Sequence, residues 1–132
     1  MEQQNPKMLS PLTLAFIGDA VLELMVRTRL IEQGSMPVGK LHCEAIKYVS
    51  AKAQSRLVEV ILPLLSAEEE AIYKRGRNAN GAKVPKNTDP ADYRRASGLE
   101  ALFGYLYLAY PDHERVTELF GILWDWAQVH MQ

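Results

Sequence analysis

Two acidic side chains, Asp19 and Glu100, stand alone inside runs that are otherwise apolar. From Leu12 to Leu22 only Thr13, Gly18 and Asp19 interrupt the apolar sequence, and from Gly98 to Tyr110 (GLEALFGYLYLAY) Glu100 is the single charge. An uncompensated buried carboxylate costs on the order of several kcal/mol. Each acid also has a glycine beside it: Gly18 directly precedes Asp19, and Gly104 follows Glu100 one turn later on the same helical face. Glycine in mid-helix costs about 1 kcal/mol relative to alanine, and its common use is to let another backbone come close. The economical geometry is two helices that cross with Asp19 and Glu100 converging. Two such carboxylates repel unless they share a proton or a cation. Two hard oxygen ligands, completed by water and a substrate phosphate, describe a Mg²⁺ site. Such a site suits activation of water and charge stabilisation at phosphorus in phosphodiester hydrolysis.

The same residues admit a plainer arrangement. Asp19, Glu23 and Arg27 follow i, i+4 spacing and can form a solvated ion-pair ladder worth only tenths of a kcal/mol. Glu100 can pair with Arg95 or with a lysine elsewhere. The charge distribution adds a second signal. The net charge is −1 over 132 residues, yet Ala71 to Gly98 holds Lys74, Arg75, Arg77, Lys83, Lys86, Arg94 and Arg95 against only Asp89 and Asp92. A basic block on a mildly acidic chain suits an anionic partner, although basic faces are also ordinary solvated surface.

Length and composition predict one globular domain over residues 1–132, with residues 1–10 as a flexible polar N-terminus. No basic-then-apolar leader is visible there, and no window of 18 uncharged apolar residues predicts a membrane span. Cys43 is the single cysteine, which excludes an internal disulfide and fits a reducing cytoplasm. His42, His113 and His130 form no zinc spacing with it.

The elements that must position the two acids are helices. Ser10-Pro11 gives an N-cap with proline at the first helical position, opening a helix that ends near Gly34. A second helix is expected from Val38 to about Leu62, where Pro63 bends or ends it. Ser66-Ala67-Glu68-Glu69 matches a capping box and starts a short helix to about Arg77. Asn78 to Asp89 (NANGAKVPKNTD) reads as a basic loop. Asp89-Pro90 opens the helix that carries Glu100, running to about Tyr110, and a last amphipathic helix runs from about His113 to Val129. No segment alternates as a strand. Tyr105, Tyr107, Tyr110, Trp124 and Trp126 are expected mostly in the core or at a dimer interface.

Several of these stretches resemble a known family. FIGDAVLEL (Phe16–Leu24) resembles the signature helix of ribonuclease III catalytic domains, and GLEALFGYLYL (Gly98–Leu108) resembles their second acidic helix. YVSAKAQ (Tyr48–Gln54), RGRNA (Arg75–Ala79) and VPKNTD (Val84–Asp89) are similar to Mini-III ribonuclease, the bacterial branch without a double-stranded-RNA-binding domain. The resemblance spans about Pro11 to Leu119, with the motifs in order. Other ribonucleases III carry further acids where this chain has Ala15 (with Leu12 upstream) and Ser97. The reduced set of Asp19 and Glu100 agrees with the Mini-III pattern.

The resemblance implies an all-α, ribonuclease III-like endonuclease domain of five to seven helices, acting as a homodimer that lays a duplex across two active sites. Asp19 and Glu100 would be catalytic and hold Mg²⁺, with Mn²⁺ as an alternative, and Glu23 and Ser97 would support them. Products would be a 5′-phosphate and a 3′-hydroxyl. The implied substrate is the large-subunit (23S-type) ribosomal RNA precursor, on a pre-ribosomal particle or with a ribosomal protein. A non-catalytic double-stranded-RNA-binding ribosome-assembly module with the same fold is the competing reading. Duplex RNA is read through phosphates and 2′-hydroxyls, a task that suits Arg75, Arg77, Asn78, Lys83, Lys86, Asn87 and Arg94. Duplex binding is therefore expected to weaken steeply with salt; a flat plot of log K against log salt concentration would remove the basic segment from the interface.

Overall fold

The computed structural model describes residues 5–79 and 83–132, and all regular structure among them is helical. Six α-helices follow in order: α1 (Pro11–Glu32), α2 (Val38–Val49), α3 (Ala51–Ile61), α4 (Ala67–Arg77), α5 (Pro90–Ala109) and α6 (Glu114–His130). The start signals work as their chemistry dictates. The Ser10 side chain accepts from the Thr13 amide, and that of Asp89 from the amides of Ala91 and Asp92. Ser66 and Glu69 close a complete capping box on α4.

One expected boundary is corrected. The single helix expected from Val38 to about Leu62 is two helices. Ser50 takes an extended conformation, ends α2, and caps α3 by accepting from the Ala53 amide at 3.2 Å. A serine competes for backbone donors in this way, and its hydroxyl here outweighs the continuous helical spacing around it. Leu62–Leu64, with Pro63, then tightens into a 3₁₀ turn.

The segment expected to be flexible is described from residue 5 onward. Pro6–Met8 forms a 3₁₀ turn, and Arg75 donates to the carbonyls of Lys7 and Leu9 at 3.2 and 3.1 Å. The basic loop expected over 78–89 includes residues 80–82, which lie outside the described residues.

The core is organised around α5, which contacts α1, α3 and α4. Leu99, Ala101, Leu102, Phe103 and Leu106 of this helix are fully or almost fully buried. Its tightest neighbour is α1. A Cβ added to Gly18 would lie 1.6 Å from the Glu100 carbonyl oxygen, and one added to Gly104 would lie 2.0 Å from that of Leu14. The two helices therefore meet backbone to backbone, as the paired glycines predict. Across the core, Arg115 of α6 donates to both oxygens of Glu69 at 2.8 and 2.9 Å and to the Leu64 carbonyl, pinning α6 to the start of α4.

Gly18→Ala should cost about 3 kcal/mol or more, the upper end for overpacking, because its methyl would meet backbone atoms that cannot rotate away. Denaturant unfolding checks this. Wild-type stability in the variant would mean that α1 and α5 separate without cost.

Candidate active site

The crossing of α1 and α5 brings Asp19 and Glu100 together. Gly18 lies against the Glu100 backbone, so the next residue of α1, Asp19, sits beside the Glu100 side chain. Asp19 is exposed and Glu100 is mostly buried. Burial pushes the Glu100 carboxyl up to about 8, and the charge of Asp19, a hydrogen bond with Asp19 and the charge of Glu23 add to the shift. One contact opposes it: Gln54 Nε2 of α3 donates to Glu100 Oε2 at 3.1 Å.

The plainer arrangement is present only in part. Glu23 pairs with Arg27 at 3.2 Å, as the i, i+4 spacing allows. Among the described residues neither Asp19 nor Glu100 has a basic partner. Arg95 turns elsewhere and donates to Ser55 Oγ at 3.4 Å.

These residues fit a hard divalent cation. Two carboxyl groups face each other without a counter-charge among the described residues, and one is held in a partly desolvated position. No group of three or more His, Cys, Asp or Glu side chains gathers as a ligand set among the described residues. The protein therefore offers two acids, and water and substrate phosphate would complete the shell, which is how Mg²⁺ is commonly held. Ser97 is buried one turn before Glu100 on the same helix.

The proposed RNA-contacting residues occupy the end of α4, the following loop and the start of α5. Arg77 Nε donates to Asn78 Oδ1 at 3.2 Å, and its guanidinium lies 5.7 Å from the Tyr73 ring centroid. Lys83, Lys86, Asn87 and Arg94 are exposed, and Asn87 adopts a left-handed φ of 69°. Arg75 is exposed but already engaged with the N-terminal backbone. Arg94 precedes Glu100 by six residues, roughly 9 Å along the helix axis.

Gln54 was not among the residues singled out from sequence. A signal for it exists: it shares the inward stripe of α3 with Leu57, Val58 and Ile61, where an amide is out of place.

A model of the ribonuclease III domain matches residues 12–111. This chain belongs to the ribonuclease III family. Ribonuclease III members cleave RNA internally, and the chain's class of activity is that of an endoribonuclease. Among its relatives, a Mini-ribonuclease 3 of Symbiobacterium thermophilum is 44% identical over 97% of this chain and 98% of the relative. A Mini-ribonuclease 3 of Thermoanaerobacter is 54% identical over 86% of this chain and 80% of the relative. A crystal structure of a Fusobacterium nucleatum protein superimposes with a TM-score of 0.82 at 30% identity, covering 92% of this chain and 98% of the other.

The raised Glu100 carboxyl makes metal-free stability depend on pH. Below 4.5 the group is protonated in both folded and unfolded chains. Between 4.5 and about 8 the folded chain retains a proton that the unfolded chain has released, so stability falls as pH rises through this window. The slope from this group is at most about 1.4 kcal/mol per pH unit. With chelator present, unfolding at pH 5.5 and pH 8 should differ less in Glu100→Gln than in wild type. Equal pH dependence in both proteins would show that Glu100 ionises normally.

Proposed function

We propose that the chain is a divalent-metal-dependent endoribonuclease acting on double-stranded RNA, with the large-subunit ribosomal RNA precursor as its substrate. The observation that carries this reading is the convergence of Asp19 and Glu100, without a basic partner among the described residues, at the glycine-mediated crossing of α1 and α5. Family membership and the Mini-ribonuclease 3 relatives support the reaction class.

In this reading Asp19 and Glu100 hold Mg²⁺, or Mn²⁺ in its place. When bound, the cation lowers the pKa of water and offsets the charge that develops at phosphorus. Water adds to phosphorus, the bond to the 3′ oxygen breaks, and a proton passes to that oxygen, giving a 5′-phosphate and a 3′-hydroxyl. Glu23 helps to keep the local field negative, and buried Ser97 backs the Glu100 turn. Arg77, Asn78, Lys83, Lys86, Asn87 and Arg94 position the duplex through its phosphates and 2′-hydroxyls. Arg75 contributes by fixing the N-terminal segment against α4, and its charge remains on the same face.

A homodimer supports cleavage of both strands, one by each subunit. Phe16, Ala20 and Leu24 form an exposed stripe on α1 at four-residue spacing, with Phe16 81% and Leu24 66% exposed. Next to it a groove of about 270 Å³ lies between α1, Tyr107 and Val116. An apolar stripe of this kind, on the helix that carries Asp19, suits pairing with a second copy. A ribosomal protein or a pre-ribosomal particle would present the RNA, and a cytoplasmic location follows from that role. No described helix is long and apolar enough to cross a membrane.

The test is cleavage of a duplex precursor RNA by wild type, Asp19→Asn and Glu100→Gln, with and without Mg²⁺. Metal-dependent cutting should fall by at least about a thousandfold in both variants, a loss of roughly 4 kcal/mol of transition-state stabilisation, with duplex binding retained. Full activity in either variant would remove that acid from the site. Tight binding without cutting by wild type would favour the non-catalytic ribosome-assembly module.

A further inference from the structure

Gln54 is only 2% exposed, yet it is a polar residue on the inward face of α3. Its amide group has two donor hydrogens and one acceptor oxygen. Nε2 meets two acceptors, the Val49 carbonyl at 2.9 Å and Glu100 Oε2 at 3.1 Å. Oε1 is buried and has no hydrogen-bond partner among the described residues. Flipping the amide would set Oε1 against the Val49 carbonyl, which can only accept, so the donor edge faces Val49 and Glu100.

A buried orphan acceptor is costly, and an apolar side chain like its neighbours Leu57 and Val58 would avoid it. The bond to Val49 is local, five residues back, and ties the end of α2 to α3. The bond to Glu100 spans 46 residues and reaches a candidate metal ligand. The other polar neighbour of the Glu100 carboxyl is Asp19, which raises it through its charge and through a carboxyl–carboxyl hydrogen bond. The amide thus fixes one oxygen of the Glu100 carboxyl from α3, while Asp19 faces the carboxyl from α1.

We propose that Gln54 is a positioning residue of the metal site: its amide clamps Glu100 Oε2 and so holds the carboxyl facing Asp19, where the two would share a cation. This rests on the two-acid reading above. With only two acids available, the orientation of each matters more than it would in a larger ligand set. Partners that orient ligands are commonly worth ten- to a hundredfold in metal affinity.

Gln54→Met keeps the length and removes the donor. Mn²⁺ titration of the RNA-free homogeneous protein, followed by electron paramagnetic resonance, should show affinity weakened by roughly tenfold or more. The melting temperature with chelator should stay close to wild type, because the orphan acceptor disappears with the amide. Duplex RNA affinity in Ca²⁺ should also be unchanged, while the Mg²⁺ needed for half-maximal cleavage rises. Wild-type Mn²⁺ affinity in Gln54→Met would overturn the proposal, as would a lowered melting temperature with unchanged affinity, which is what a purely structural role gives. If Gln54→Met does not fold, the same titration on Gln54→Asn, whose shorter side chain keeps the amide but falls short of Glu100, decides in the same way. Glu100→Gln is the control. If it binds Mn²⁺ as wild type does, the two-acid reading fails; if it loses Mn²⁺ while Gln54→Met does not, only the role of Gln54 fails.

Discussion

The backbone contact between α1 and α5 governs the rest of the molecule. Packed helices ordinarily keep their axes 8–10 Å apart because side chains lie between them. Here Gly18 and Gly104 remove those side chains, and the carbonyls of Glu100 and Leu14 occupy the space where their Cβ atoms would be. Asp19 is the next residue after one contact point, and Glu100 is itself part of it. With the helices this close, the acids have no room to avoid each other. The proximity of the two acids is thus built into the packing of the core, and a shared proton or a cation relieves their repulsion.

The environment of Glu100 follows from that crossing and from one further helix. α5 is packed against α1, α3 and α4, so its side chains from Ala96 to Leu106 are desolvated almost throughout. Glu100 escapes full burial at the mouth of the α1 crossing, while α3 supplies Gln54 from the other side. That placement depends on Ser50. By capping α3 it breaks what would otherwise be one long helix, and α3 can then turn its Gln54, Leu57 and Ile61 stripe toward the core.

α4 links the catalytic candidate to the basic surface. Its acidic first turn is consumed by protein contacts: Glu68 meets Lys7 and the Tyr105 hydroxyl, and Glu69 is held below the usual carboxylate range by Arg115. Its basic last turn, with Arg75 and Arg77, lies at the edge where the chain crosses to Arg94 and the start of α5. The order also matches the helix dipole, with negative charge at the N-terminus and positive at the C-terminus. Gly76 and Gly98 bring α4 and α5 together as closely as their neighbours allow, with the Tyr73 ring packed over Gly98. The helical part of the basic surface, Arg75, Arg77 and Arg94, is thereby fixed relative to Glu100.

Much of this was legible in the sequence, for local reasons. Ser10-Pro11, Ser66 with Glu69, and Asp89-Pro90 specify helix starts through hydrogen bonds within a few residues, and the structure places all three there. The lone acids beside glycines specify a close crossing, because both signals concern what a buried helix face can tolerate. The split at Ser50 was missed because periodicity continues across it and only the chosen side-chain conformation decides the cap. The engagement of Arg75 with Lys7 and Leu9, the pairing of Arg115 with Glu69, and the bond from Gln54 to Glu100 join residues 46 to 68 positions apart. Spacing along a chain carries no information about such pairs. Local chemistry sets the helices, the acids and the glycines that let them meet, whereas the polar groups that hold those acids depend on which faces the folded core brings within hydrogen-bond reach.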